Sequence, residues 1–165
     1  MDSKIKILTI VACAICAFLL PSCQQDNWMD WKLQNDIWLA QNATKDSVIT
    51  TSTGLQYKII ADPLAEHDAK PKPTSTVVCD YTLELINGTV IESRENQPIY
   101  LSSAVPGFRE GCIKVHTHGD IELFIPAELG YDYDTSDRGN GTEGYKSYIP
   151  PYSTLIFKVH ICSFY

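Results

Sequence analysis

Few residues in this chain have the type and spacing for bond-making chemistry. His116 and His118 stand two apart beside Gly119, and both rings could ligate a metal. Exposed turn positions are the simpler expectation for the pair. His160 alternates outward on a strand-like run and is expected at the surface. Asp132, Asp134 and Asp137 lie near Gly139 and Gly141 and invite a calcium reading. The glycine and final glutamate that an EF-hand loop needs are missing at their positions, so no metal site is expected. No nucleophile paired with a base is apparent. Covalent and metal-assisted chemistry are therefore not indicated.

The elements that must position any site are organised around 105–126, VPGFREGCIKVHTHGDIELFIP. Pro106-Gly107 marks a turn. Phe108, Cys112 and Val115 fall at i, i+4 and i+7, one face of a short helix over 108–115. Gly119 stops it, and Ile121, Leu123 and Ile125 then alternate with Glu122 and Phe124 as in a strand. Upstream, Leu55, Tyr57 and Ile59 alternate behind Gly54 as a first strand, and 62–74 reads as a surface loop. Residues 76–86 form a strong strand, with Val77, Cys79, Tyr81, Leu83 and Leu85 on one face. Asn87-Gly88 signals a tight hairpin, because both residues favour positive φ. The return strand from Val90 is expected to stop near Ser93, before a polar loop at 94–98 and a short extended piece at 99–101. Residues 127–148 are irregular, a length unusual inside a compact domain. A last strand over 153–165 puts Leu155, Phe157, Val159 and Ile161 on one face. About six hairpin-linked strands and one central helix define an α+β domain, an antiparallel sheet bent over a helix.

The chain carries a net charge of −7 and no basic run beyond isolated pairs. Nucleic-acid binding is not expected, because phosphate neutralisation needs clustered Lys and Arg. Lys4 and Lys6 precede an apolar run at 7–20, too short to span a bilayer core comfortably. Leu20-Pro21-Ser22-Cys23 follows and resembles a bacterial lipobox. Cleavage there would remove Cys13 and Cys16, leave Cys23 as a lipidated first residue, and hold the protein at the cell envelope by acyl chains. An ordinary signal peptide or an anchor helix is the alternative. The expected organisation is a signal peptide at 1–22, a tether with a short helix at 23–49, and a folded domain at 50–165. In the tether, Trp28, Trp31, Trp38 and Leu39 fall roughly on one helical face. That face either contacts a partner or packs on its own domain, and packing on the domain is the favoured reading.

Five segments, in this order, resemble the FKBP-type peptidyl-prolyl cis-trans isomerases: STGLQYKII, DYTLELINGTVIES, VPGFREG, IPAELGY and IPPYSTLIFKVHI. The resemblance covers 52–161 and implies an FKBP-like fold. It also implies an apolar cup with Phe108 as its floor. Its walls would be Tyr81, Ile91, Glu92, Val105, Tyr131 and Phe157, with Ile99 and Ile149 closing the rim. Tyr131 would donate its hydroxyl to a substrate carbonyl, and Glu92 would stand beside that carbonyl, where the family has Asp. Several positions depart from the family pattern. The floor is more often Trp, Ile91 replaces a usual Phe, Glu92 is one methylene longer than Asp, and Asp132 stands where Gly commonly follows the Tyr. With Cys79 facing the helix, a disulfide, if one forms, is expected between Cys79 and Cys112; the alternative is three separate thiols, Cys162 included.

The implied activity needs no cofactor. An X–Pro bond rotates over a barrier of about 18–20 kcal/mol because rotation breaks amide resonance. The twisted amide is less dipolar than the planar one, so a dry apolar cup favours it relative to water. The implied partners are proline-containing polypeptides, and the implied role is assisting the folding of exported proteins. A non-catalytic polypeptide-binding module using the same cup is the second reading, because fold alone does not license activity.

Overall fold

The computed structural model describes residues 28–64, 69–132 and 149–165. The expected signal peptide, Cys23 and most of the 127–148 stretch therefore lie outside the described residues. Helix α1 (Met29–Asn42) precedes strands β1 (Ile49–Thr50), β2 (Gln56–Ala61), β3 (Thr76–Glu84) and β4 (Val90–Tyr100). Helix α2 (Pro106–Cys112), β5 (Asp120–Ile125) and β6 (Leu155–Phe164) follow. The six strands form one antiparallel sheet in the order β1-β2-β5-β6-β3-β4.

The expected α+β architecture is present, and its core follows strand parity. Val77, Cys79, Leu83, Leu123, Ile125, Leu155, Val159 and Ile161 are all buried on the face that α2 covers. Helix α2 begins earlier than the apolar spacing suggests. Pro106 occupies its first turn, where the missing N–H costs nothing. Pro106-Gly107 thus opens the helix instead of forming a turn before it. The helix ends at Cys112, and Val115 reaches the core from the following turn.

Strand β4 also differs from expectation. It runs through 94–98 instead of stopping near Ser93, because β3 offers pairing partners as far as Thr76↔Tyr100. Asn96, at φ 49°, donates its backbone N–H to Asp80 Oδ1 at 2.7 Å and absorbs the register shift. β4 is an edge strand, so Ser93, Glu95 and Asn96 stay exposed and Pro98 breaks no ladder. In the Asn87-Gly88 hairpin only Gly88 has positive φ, at 81°. Asn87 contributes through its side chain, which accepts the Thr89 N–H at 3.0 Å.

Helix α1 packs on its own domain, against the sheet face opposite α2. Trp38 meets Phe124 at 5.7 Å between ring centroids. Trp31 Nε1 donates to Ser153 Oγ at 2.9 Å. Two asparagines complete this contact, both 1 % exposed. Asn35 accepts the Thr154 N–H at 2.7 Å, and Asn42 donates to Gln56 Oε1 at 2.9 Å. Trp31, Asn35, Trp38 and Asn42 follow at i, i+4, i+7 and i+11, which places all four on one stripe. Buried amides with satisfied partners fix the seating of the helix, because a shifted register would strand them without hydrogen bonds.

His116 corrects the expectation of an exposed turn residue: it is 6 % exposed. Its backbone N–H donates to Asp62 Oδ1 at 3.0 Å, and its Nδ1 lies 2.9 Å from Asp62 Oδ2. His118 is exposed, and His160 is partly exposed beside Asp120. Burial alone would raise the Asp62 carboxyl, but the His116 N–H, ring and charge together outweigh it and hold Asp62 below the usual carboxylate range. A carboxyl depressed in the folded state stabilises the fold above its unfolded value of about 4, and that contribution is lost as the pH falls through the folded value. Asp62→Asn is therefore expected to lower Tm at neutral pH. The gap to the parent should close as the pH drops below about 4, followed by thermal melts at stepped pH. A constant gap down to acid would show that the carboxylate charge contributes nothing.

The three described cysteines are free thiols, so the conditional Cys79–Cys112 bridge is not formed. Burial pushes the Cys79 thiol up to about 12 and Cys112 well above its ordinary range. Both act as small apolar core residues.

Candidate functional site

A cavity of about 460 Å³ opens between the β3–β4 edge, α2 and the segment after β5. Its floor is a cluster of three rings. Phe108 and Phe157 meet edge-on at 5.0 Å between centroids. Tyr81 lies 6.3 Å from Phe108 and 5.8 Å from Phe157. The rings come from three elements: Tyr81 from β3, Phe157 from β6, and Phe108 from the first turn of α2. Phe108 reaches them because Gly107 and Gly111 let α2 lie directly on β5. A Cβ on either glycine would run into the Ile125 or Leu123 side chain.

Seven of the nine pocket residues named from sequence line this cavity: Tyr81, Glu92, Ile99, Val105, Phe108, Tyr131 and Phe157. Two do not. Ile91 is fully buried at the register shift between Leu83↔Glu92 and Glu84↔Val90, which turns it into the core. Ile149 is 4 % exposed and belongs to the core cluster behind the wall. The structure adds Leu83, Arg94, Gln97, Ser103 and Ala104 to the lining. Leu83 was legible from its parity with Tyr81. Arg94 and Gln97 were not, because 94–98 reads as loop and the pairing that extends β4 over it is non-local.

The Glu92 carboxylate takes a hydrogen bond from the Tyr81 hydroxyl and pairs with Arg94 at 2.9 Å. Burial, then the Glu92 charge and hydrogen bond, drive the Tyr81 hydroxyl far above its ordinary range. Tyr81 is therefore a neutral donor with a fixed ring. The cup is apolar at its base and carries one ion pair at its edge.

A second depression, of about 400 Å³, lies on the sheet and also touches Tyr81. Asp80, Arg94, Glu95, Asp120, Glu122, Lys158 and His160 line it. Several are already paired, Lys158 with Glu84 at 2.8 Å and His160 with Asp120 at 2.9 Å. It offers no ring floor, so the aromatic cup is the stronger candidate. Among the described residues, no group of three or more His, Cys, Asp or Glu side chains is placed to hold a metal ion.

The family model of the FKBP-type peptidyl-prolyl cis-trans isomerases matches residues 67–162, which includes β3 to β5, most of β6 and the whole ring cluster. The chain belongs to this family. It is 35 % identical over 136 residues to the outer membrane protein MIP of Legionella longbeachae, covering 80 % of this chain and 53 % of that protein. It is 34 % identical over 128 residues to the FKBP-type 22 kDa peptidyl-prolyl cis-trans isomerase of Escherichia coli K12, covering 75 % and 56 % respectively. The chain thus spans about half the length of these curated relatives. The crystal structure of FkpA from Escherichia coli superposes with a TM-score of 0.71 at 27 % identity, covering 99 % of this chain and 73 % of that one.

Proposed function

We propose that this protein is a peptidyl-prolyl cis-trans isomerase acting on proline-containing segments of exported polypeptides. The observation that carries the reading is the three-ring floor of Tyr81, Phe108 and Phe157 under an open cavity. A prolyl ring seats on that floor, with Ile99 and Val105 as apolar walls. The cup excludes water from the amide, and the twisted, less dipolar form loses less by this than the planar form. Tyr131 donates its hydroxyl to the carbonyl before proline and holds it out of plane. Glu92 acts through Tyr81: together with Arg94 it fixes the ring and keeps the carboxylate away from the bond that rotates. No proton moves and no covalent intermediate forms. A protease-coupled assay on an X-Pro peptide tests the reading. A rate equal to the uncatalysed one, with peptide still bound, would make the cup a binding module instead.

Tyr131→Phe removes one hydrogen-bond donor and little packing. It is expected to lower kcat/KM about tenfold, since about 1.4 kcal/mol of transition-state contact is tenfold in rate. Tm should stay close to that of the parent. An unchanged kcat/KM would remove Tyr131 from the mechanism.

Relatives carry names such as outer membrane protein MIP. With the lipobox-like Leu20-Pro21-Ser22-Cys23, this supports a bacterial cell-envelope protein cleaved after Ser22 and anchored by acyl chains on Cys23. Among the described residues, no helix is long and apolar enough to cross a membrane. Labelling with a radioactive fatty acid tests the anchor, and label retained in Cys23→Ser would refute it.

A further inference from the structure

Among the described residues, helix α1 seats one apolar stripe on the sheet and exposes a second. Trp31, Asn35, Trp38 and Asn42 seat it on the sheet. Roughly opposite, Met29, Leu33 and Ile37 follow one another at i, i+4 and i+8, exposed by 56 %, 58 % and 48 %. Ala40 continues the same stripe and is also exposed. Large aliphatic side chains aligned on one helical face are unlike the scattered exposure of an ordinary surface.

We infer that this stripe lies against the apolar boundary of the bilayer to which Cys23 is tethered, so that α1 rests on the membrane. The inference builds on the lipid-anchor reading of Cys23. Six residue steps separate Cys23 from Met29. At a full extension of about 3.6 Å per residue, α1 starts within roughly 20 Å of the acylated cysteine. The tether thus delivers the stripe to lipid at high effective concentration, where even a small apolar contact adds to the hold of the acyl chains. A second copy is a poorer occupant, because four side chains on one helix fall well short of the roughly 800 Å² per partner of a standard interface. Asp30 and Asp36 beside the stripe give it no attraction for anionic headgroups, so the contact is apolar and a zwitterionic lipid suffices.

The three tryptophans of the chain are residues 28, 31 and 38, all on or next to α1, so selectively excited tryptophan emission reports on this helix. The full chain is expressed with its leader, and the acyl group on Cys23 is checked by mass spectrometry. The protein is then placed in phosphatidylcholine vesicles with and without brominated acyl chains. The expected result is tryptophan quenching in the brominated vesicles that is lost in the Leu33→Gln/Ile37→Gln variant. Gln keeps the helix, being a good helix former, and circular dichroism verifies the fold. An acylated protein with equal emission in both vesicle types would overturn the inference and leave the anchor intact. So would a double variant quenched as strongly as the parent, or a parent dimer in detergent that the double variant dissolves. An unacylated Cys23 would instead refute the anchor reading, and the inference would fall with it.

Discussion

Phe108→Leu is expected to lower kcat/KM for an X-Pro peptide by about tenfold or more while leaving the domain folded. The ring is 2 % exposed and stands at 5.0 Å from Phe157 and 6.3 Å from Tyr81. Leucine keeps the site apolar and fills most of the volume, so the fold should lose only about 1.5 kcal/mol or less. It removes the flat surface on which a prolyl ring would rest and the edge-on contacts that hold the other two rings. Such contacts are worth about 0.5–1.5 kcal/mol beyond their area, and the loss falls on the transition state if the floor is where the amide twists. Phe108→Ala separates packing from catalysis. A buried Phe→Ala change costs about 3–5 kcal/mol of stability, so that variant should melt far lower and cannot by itself prove a catalytic role. The decisive measurement is kcat/KM of the leucine variant beside its Tm. A normal rate at a normal Tm would exclude Phe108 as the floor of the site.

Gly111→Val is expected to destabilise the fold by about 3 kcal/mol, the upper end for overpacking a filled core. In a domain of this size that shifts Tm by roughly 6–12 °C. A Cβ at 111 would overlap the Leu123 side chain, which is fully buried and cannot move aside. Alanine recovers about 1 kcal/mol from better helix propensity, which partly offsets its clash. Valine gains less from propensity and adds two methyl groups to the same contact. Combining Gly111→Val with Leu123→Ala should restore part of the loss, since the second change empties the space that the first invades. Strict additivity of the two losses would show that the helix–strand approach is not the cause.

Much of the site was open to reading because strand parity is local. Alternation along 77–85 and 155–161 placed Tyr81 and Phe157 on the buried face, and both are in the floor. Phe108 was placed at the helix start by the apolar spacing 108, 112 and 115, and it stands in the first turn. Ile91 was misread as wall because a register shift on β4 turned it into the core, and register depends on the partner strand. The same non-local pairing converted 94–98 from loop to edge strand and brought Arg94 to Glu92.

By itself, then, the order of residues determined the α+β class, the alternation that sorts side chains to the two sheet faces, the family, and five ordered segments around one short helix. These follow from periodicity and from glycine and proline positions, which act within a few residues. Tertiary structure alone decided that His116 is buried on Asp62, that Asn35 and Asn42 seat α1, and that Glu92 serves Tyr81. Each of those is a polar group taken from water to a single partner far away in the chain, and which partner it meets is set only when the layers close.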